Sequence, residues 1–276
     1  MAVKLIVTDL DGTFYHRDMS YDKEKFDRLL DQLHASGIRF AVASGNQYYQ
    51  LISFFDHPEE MAFVAENGAL IINEGKELSV AEIERDVWTE AVRLVKSYPE
   101  IHTLLVNGVK SAYCGMELDD ELVNIYRRYF PRLEKIEDFT AIDDRIIKMS
   151  LAAEEEHADR IANELNEKLS GRLRAVTSGH GDIDLVKPGI NKGMAIQKLL
   201  DIWNLKMEEV MTFGDAMNDR EMLLEAGYGF VMANGNEQLK KEVGRVAPKT
   251  NEEDGELELI EEYLTDPEKF LNKYKR

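Results

Sequence analysis

Asp9-Leu10-Asp11-Gly12-Thr13 closes a short apolar run, Lys4-Leu5-Ile6-Val7. Two carboxylates two residues apart, followed by a glycine that permits a sharp turn, can share a divalent cation and face one cleft. Three more polar groups follow later apolar runs. Ala43-Ser44-Gly45-Asn46 offers a hydroxyl and the main-chain amides that open a helix, where an oxyanion can bind, although such residues also make ordinary turns. Lys192 starts a helix after Pro188-Gly189-Ile190-Asn191, a place where a lone lysine is otherwise a surface residue. Gly214-Asp215-Ala216-Met217-Asn218-Asp219 follows the run Val210–Phe213. Asp215, Asn218 and Asp219 are spaced i, i+3, i+4, which puts them on one side of a first helical turn. Capping accounts for one of those aspartates but not for its companion. Taken together, the four groups make a phosphoryl-transfer site. A hard cation such as Mg²⁺ takes one or two carboxylates plus substrate oxygens, and the hydroxyl, lysine and amides neutralise the transferring group. One aspartate is left to attack phosphorus and another to move protons.

The elements that must position these residues alternate. A strand ending at Asp9 is followed by a helix with Ser20 as N-cap, Phe26, Leu29, Leu30 and Leu33 on its core face, and Gly37 at its stop. Arg39–Ala43 reads as a strand, 47–55 as a helix, and Phe63-Val64 as a third strand. This is the pattern of a parallel α/β sheet, whose ligands bind at the carboxyl ends of the strands. Ala69–Ile72 and Glu77–Val80 flank a hairpin turn at Asn73-Glu74-Gly75. The middle of the chain has another rhythm: helices over 81–97 and around Leu122, Ile125, Tyr126 and Tyr129, and a helix face of Ala158, Ile161, Ala162, Leu165 and Leu169. Strands are expected over 103–106, 111–114, 146–152, 173–177 and 182–186, an α+β module with helices on one face of a sheet. Alternation resumes with a helix over Lys192–Trp203, a strand at Val210–Phe213, a helix over 218–226 and a strand over 228–232. The expected organisation is an α/β core of residues 1–81 and 188–276, interrupted by an α+β insertion of 82–187. The acidic stretch from Glu252 to Glu262 reads as a solvated helix start.

Composition narrows the partners. The net charge is −19, and no cluster of Lys and Arg supplies the basic footprint that nucleic acid requires. No apolar run approaches a membrane span, and Met1 to Val7 enters a strand with neither a basic region nor a small-residue cleavage site. A cytoplasmic location is expected, in keeping with a single cysteine, Cys114. The six histidines show no metal-ligand spacing. An acidic protein that handles anions must neutralise them locally, which again points to a metal ion and a few placed donors.

These motifs resemble the four signatures of the haloacid dehalogenase superfamily. The long insertion between the second and third resembles its class IIB, or Cof-type, hydrolases. The stretches Val42 to Phe55 and Phe63 to Leu70 are similar to those of the bacterial sugar phosphatases of that branch. The resemblance spans essentially the whole chain and implies a Rossmann-like core with an inserted α+β cap that sets substrate choice. By position, Asp9 resembles the nucleophile that forms an aspartyl-phosphate. Asp11 resembles the acid that protonates the leaving alcohol and then the base that activates water, and it separates this chain from the dehalogenases. Ser44, Gly45 and Lys192 resemble the phosphate clamp, and Asn218 is expected to reach the phosphate. The implied Mg²⁺ ligands are Asp9, the main-chain carbonyl of Asp11, and Asp215, with Asp219 supporting them from behind. Many Cof-type members carry Arg where this chain has Asn46, and an amide does not replace a guanidinium fork. The sugar-phosphatase subgroup shares the Asn, which favours that subgroup, and Asn46 is expected among the phosphate- and substrate-binding residues.

The expected reaction is therefore Mg²⁺-dependent hydrolysis of small phosphorylated metabolites, sugar phosphates first, beneath a closing cap. In the stretch Thr177 to Asp184, Asp184 is expected to bind sugar hydroxyls and His180 to lie in solvent. Tyr48 and Tyr49 either line the pocket mouth or pack internally. A phosphomutase shares the aspartyl-phosphate step. A receiver-type signalling module shares an acidic pair, a hydroxyl and a lysine, but it has no large insertion and needs no second acidic motif after the lysine.

Overall fold

The computed structural model describes residues 2–179 and 181–275, so His180 lies outside the described residues. In chain order the elements are β1 (Leu5–Thr8), α1 (Lys23–Ala35), β2 (Arg39–Ala43), α2 (Tyr48–Ile52), β3 (Ala62–Ala65), β4 (Leu70–Asn73), β5 (Lys76–Val80) and α3 (Arg85–Val95). Next come β6 (Ile101–Gly108), β7 (Ala112–Gly115), α4 (Asp120–Tyr126), β8 (Leu133–Ile136), β9 (Ile146–Ala153), α5 (Glu155–Lys168), β10 (Arg174–Gly179) and β11 (Asp182–Val186). The chain finishes with α6 (Lys192–Trp203), β12 (Val210–Gly214), α7 (Arg220–Glu225), β13 (Tyr228–Val231), α8 (Glu237–Val243), α9 (Gly255–Thr265) and α10 (Pro267–Lys273).

The chain divides into two compact units. One comprises the residues up to Gly45, His57–Lys76, and those from Asn191 onward; the other comprises Asn46–Asp56 and Glu77–Ile190. In the first unit the strand order is β13-β12-β1-β2-β3-β4, parallel through β3, with β4 antiparallel. All four residues of β1 are buried, as an apolar strand flanked on both edges and covered on both faces should be. In α1, Phe26, Leu29, Leu30 and Leu33 turn inward, and Phe26 meets Phe40 of β2 edge-on, ring centres 5.2 Å apart. The cap of α1 is Asp22, which accepts from the Lys25 amide at 3.0 Å, and not Ser20, whose hydroxyl turns back to Asp18. Thr8 of β1 pairs with Val42 of β2 and with Phe213 of β12. That register brings Asp9, Ser44 and Asp215 out at the same end of three adjacent strands.

The second unit holds a sheet of order β10-β11-β9-β6-β7-β8, antiparallel except for the β7–β8 pair. The inward faces of α3 and α5 pack with Val106, Met149, Leu151, Ile183 and Leu185. The helices are not all on that face. Leu105, Ala112 and Cys114 alternate with Val106 and Tyr113 and so point to the opposite side, where they cluster with Val123 of α4 and with Phe130 and Leu133. Of the residues that mark this helical stretch, Leu122, Ile125 and Tyr129 are exposed and Tyr126 is partly buried, while Val123 makes the core contact. The short helix α2 sorts with this unit because of two amides. Gln47 donates to and accepts from the main chain of Arg132, at 3.2 Å each way, and Gln50 donates to the Arg128 carbonyl at 3.0 Å. Tyr49 lies under the Arg132 guanidinium, 3.5 Å from the ring centre, and meets Tyr48 edge-on. No helix among the described residues is long and apolar enough to cross a membrane.

Candidate active site

Lys192 is the pivot of the first unit's site. It is the first residue of α6, whose N-cap Asn191 accepts from the Met194 amide at 2.8 Å. Its fully buried ammonium lies 2.6 Å from Asp9 Oδ1 and 2.6 Å from Asp219 Oδ1. Asp219 is saturated: its Oδ2 accepts from the Asp215 and Ala216 amides, each at 3.0 Å. Its carboxylate therefore ties the loop after β12 to Lys192. The three acidic and amide residues of that loop do not share one helix face. Asp215 precedes a single 3₁₀ turn, Met217–Asp219, in which Asn218 faces outward and Asp219 turns in.

Asp9 extends β1 by one residue, its amide donating to the Phe213 carbonyl at 3.1 Å. Beyond it the chain turns sharply, with the amides of Thr13, Phe14 and Tyr15 all directed at the Leu10 carbonyl. Gly12 has φ +77°, and a Cβ there would stand 2.5 Å from Asp215 Oδ2. Only glycine lets the turn approach that carboxylate so closely. Thr13 donates to Asp215 Oδ1 at 3.3 Å, and Asn234 donates to the Gly12 carbonyl at 2.7 Å. Asp11 stands exposed at the same turn.

Ser44 and Gly45 emerge from β2 beside Asn67. The Asn67 amide donates to the Ser44 carbonyl at 3.0 Å, and the Asn67 side chain lies 3.2 Å from where a Gly45 Cβ would be. Asn218 donates to Asn67 Oδ1 at 3.3 Å. Asn67 thus joins the second and fourth motifs, a role its sequence position does not announce. It lies in a run of three left-handed residues, Glu66, Asn67 and Gly68, a conformation that asparagine tolerates better than most residues. Thr13, Asn67 and Asn234 are the site residues that motif reading passes over. Their one shared signal is a position just past a strand or within the first motif. Asn46 and Asp184 fall in the second unit. There Asp184 Oδ1 accepts from Ser150 at 2.8 Å, and its Oδ2 lies 3.6 Å from Lys148.

The electrostatics explain what this arrangement can hold. Burial pushes the Asp9 carboxyl well above its ordinary range; Lys192 pulls it back, while Asp219 and Asp215 push it further up. Asp215 is pushed up to about 6, first by burial and then by Asp219. Burial disfavours the Lys192 charge, but Asp219 and Asp9 outweigh it and raise that group. Carboxylate oxygens of Asp9, Asp215 and Asp219 come within 4.8 Å of one another. Three carboxylates sharing one ammonium leave two formal negative charges in a space largely shielded from water. A hard divalent cation fits that donor set in charge and in ligand type.

The sequence pattern described as haloacid dehalogenase-like hydrolase matches residues 6–260. The chain belongs to the haloacid dehalogenase-like hydrolases. Within that family it is of the Cof type and an enzyme of the phosphatase kind. It is similar to the 5-amino-6-(5-phospho-D-ribitylamino)uracil phosphatase YbjI of Escherichia coli (strain K12), 36% identical over 96% of this chain and 97% of that one. An HMP-PP phosphatase of Yersinia pseudotuberculosis is 27% identical, covering 87% of each chain. Among solved structures, that of SMU.1108c from Streptococcus mutans UA159 superposes with a TM-score of 0.89 at 37% identity, covering 96% of this chain and 100% of the other.

Proposed function

We propose that this haloacid dehalogenase-like hydrolase is a cytoplasmic, Mg²⁺-dependent sugar phosphatase working through an aspartyl-phosphate on Asp9. The observation that carries the reading is the fixed, buried Asp9 carboxylate, with Oδ1 held 2.6 Å from the Lys192 ammonium. Its other oxygen, Oδ2, attacks phosphorus as the ester P–O bond breaks, and Asp11 gives its proton to the leaving alcohol. Asp11 then takes a proton from water, whose oxygen attacks the same phosphorus. Inorganic phosphate leaves and the Asp9 carboxylate is regenerated. Lys192, Ser44, the amides from Gly45 onward and Asn218 hold the phosphoryl oxygens, and Asp219 fixes Lys192. Mg²⁺, held by Asp9, Asp215 and the Asp11 carbonyl, would supply positive charge against the transferring group.

The name of the Escherichia coli relative supports the substrate class, since the ester it describes sits on a ribityl chain, a sugar alcohol. Phosphorylated sugars and sugar alcohols are therefore the first substrates to test. Asn46 and Asp184 are assigned to substrate selection; Asp184, with its neighbours Ser150 and Lys148, offers acceptors and a donor suited to hydroxyls. The test is phosphate release from sugar phosphates, sugar-alcohol phosphates, nucleotides and phosphorylated cofactors, with and without Mg²⁺, using Asp9→Asn as the blank. Magnesium-dependent release that favours the sugar esters and vanishes in the variant is the expected result. Isomer formation without net phosphate would make it a mutase instead.

A further inference from the structure

Glu256 opens α9 within an acidic stretch that composition assigns to solvent, yet it is 1% exposed. Its Oε2 is 2.5 Å from the Thr8 hydroxyl, and its Oε1 is buried with no hydrogen-bond partner among the described residues. The Thr8 hydroxyl is also 2.5 Å from the main-chain carbonyl of Asp9. A hydroxyl has one proton and faces two acceptors here, so one of the two contacts must receive its proton from the other side. The Asp9 carbonyl has none to give. The carboxyl can supply it, provided Glu256 is neutral.

The surroundings favour the neutral acid. The amino end of a helix attracts an anion, but no donor among the described residues reaches Oε1. Nearby cations are committed elsewhere: Lys249 to Glu258, Lys25 and Arg28 to Glu261, and Lys273 to Glu262. Burial pushes the Glu256 carboxyl up to about 8, opposed by the Thr8 hydrogen bond and reinforced by Asp9. A buried carboxylic acid kept neutral so that it can donate is a known device of active sites.

We propose that Glu256 is a positioning residue for the nucleophile, its neutral carboxyl donating to the Thr8 hydroxyl, which donates in turn to the Asp9 carbonyl. The Asp9 peptide is then pinned at both ends, its N–H by the Phe213 carbonyl and its C=O by Thr8. The angle at which the Asp9 carboxylate meets phosphorus depends on that peptide, and small errors in attack geometry are costly in rate. The inference rests on Asp9 being the nucleophile, as proposed above.

The test compares Glu256→Gln, Glu256→Leu, Thr8→Val and the Thr8→Val/Glu256→Leu double variant for kcat, KM and thermal midpoint, with Asp9→Asn as control. Gln keeps a neutral donor and retains near-normal kcat. Leu removes a buried polar group, so the fold holds or gains stability while kcat falls about tenfold with KM nearly unchanged. The double variant is no slower than Thr8→Val, because both changes break one chain of bonds. Wild-type kcat in Glu256→Leu overturns the inference, as does a Gln variant as impaired as Leu. Should Leu not be accommodated, Thr8→Ser against Thr8→Val reads the same chain from its other end, with Ser expected active and Val impaired. Equal activity in those two overturns it. Turnover persisting in Asp9→Asn overturns the functional reading and the inference together; loss there with normal Glu256→Leu overturns the inference alone.

Discussion

Lys192 stands 2.6 Å from two carboxylates, so removing its ammonium does two things at once. On the proposed mechanism it takes a positive charge from the transferring phosphoryl group, and it leaves Asp9 and Asp219 buried without their ammonium partner. Donors of this kind are worth roughly 3–4 kcal/mol of transition-state stabilisation. Lys192→Ala is therefore expected to lose about a hundred- to a thousandfold in kcat/KM, measured by steady-state phosphate release. A loss below about tenfold would count against its role in holding the phosphoryl oxygens. Lys192→Arg is not expected to rescue, since a planar fork does not fit between two carboxylates spaced for a point charge. Asp219 illustrates a different economy. Every bond it makes is to Lys192 or to the loop carrying Asp215, so its loss should act through the placement of those two groups.

At the scale of elements, the site depends on how closely the turn after β3 approaches the start of α6. Gly68 has φ +102°, and a Cβ there would lie 2.5 Å from the Asn191 carbonyl, the residue just before Lys192. Gly68→Ala should destabilise the fold by about 1–3 kcal/mol through backbone strain and contact. It should also lower kcat by displacing Lys192, with denaturant unfolding and steady-state kinetics reading the two effects separately. The same scale shows what the sequence could and could not disclose. The apolar runs of β1 and β12 and the capped helix Lys192–Trp203 were legible because burial on both faces, or one amphipathic stripe, writes itself into composition. The motif aspartates were legible because they sit in short segments at strand ends. In α4 and the turn after it, Leu122, Ile125 and Tyr129 carry helical spacing but face solvent, since the packing of Val123 on Leu105 and Cys114 depends on a sheet assembled from distant residues. β8 escaped notice because only Leu133 of its Leu-Glu-Lys-Ile sequence is buried, at a sheet edge. Asn67 and Glu256 escaped for a related reason: a left-handed backbone and a burial site are properties of the folded neighbours, not of the local string.

For the whole molecule, the crowded acids tilt stability against pH. Asp215 has a folded pKa of about 6 against an ordinary 3.8, so its contribution is fully present below 3.8 and is lost as pH rises through 6. Glu256, at about 8 against 4.5, extends the same decline toward pH 8. The proposed divalent cation would bind the ionised carboxylates of the folded chain and oppose that decline. Thermal melts should therefore show Mg²⁺ raising Tm more at pH 8 than at pH 5, with EDTA reversing the gain. An equal or larger gain at pH 5 would speak against Asp9 and Asp215 as ligands. The separation of the paired residues along the chain has a consequence for synthesis. Asp9 and its lysine are 183 residues apart, and β12, the neighbour of β1, comes later still. A ribosome adding about 5–20 residues per second needs roughly 10–40 seconds between delivering Asp9 and delivering its counterion. Throughout that interval the nascent β1 has neither its β12 neighbour nor its balancing charge, while the strands of the second unit emerge in one stretch between them. Chains released before Lys192 carry Asp9 without the ammonium that balances it in the folded molecule.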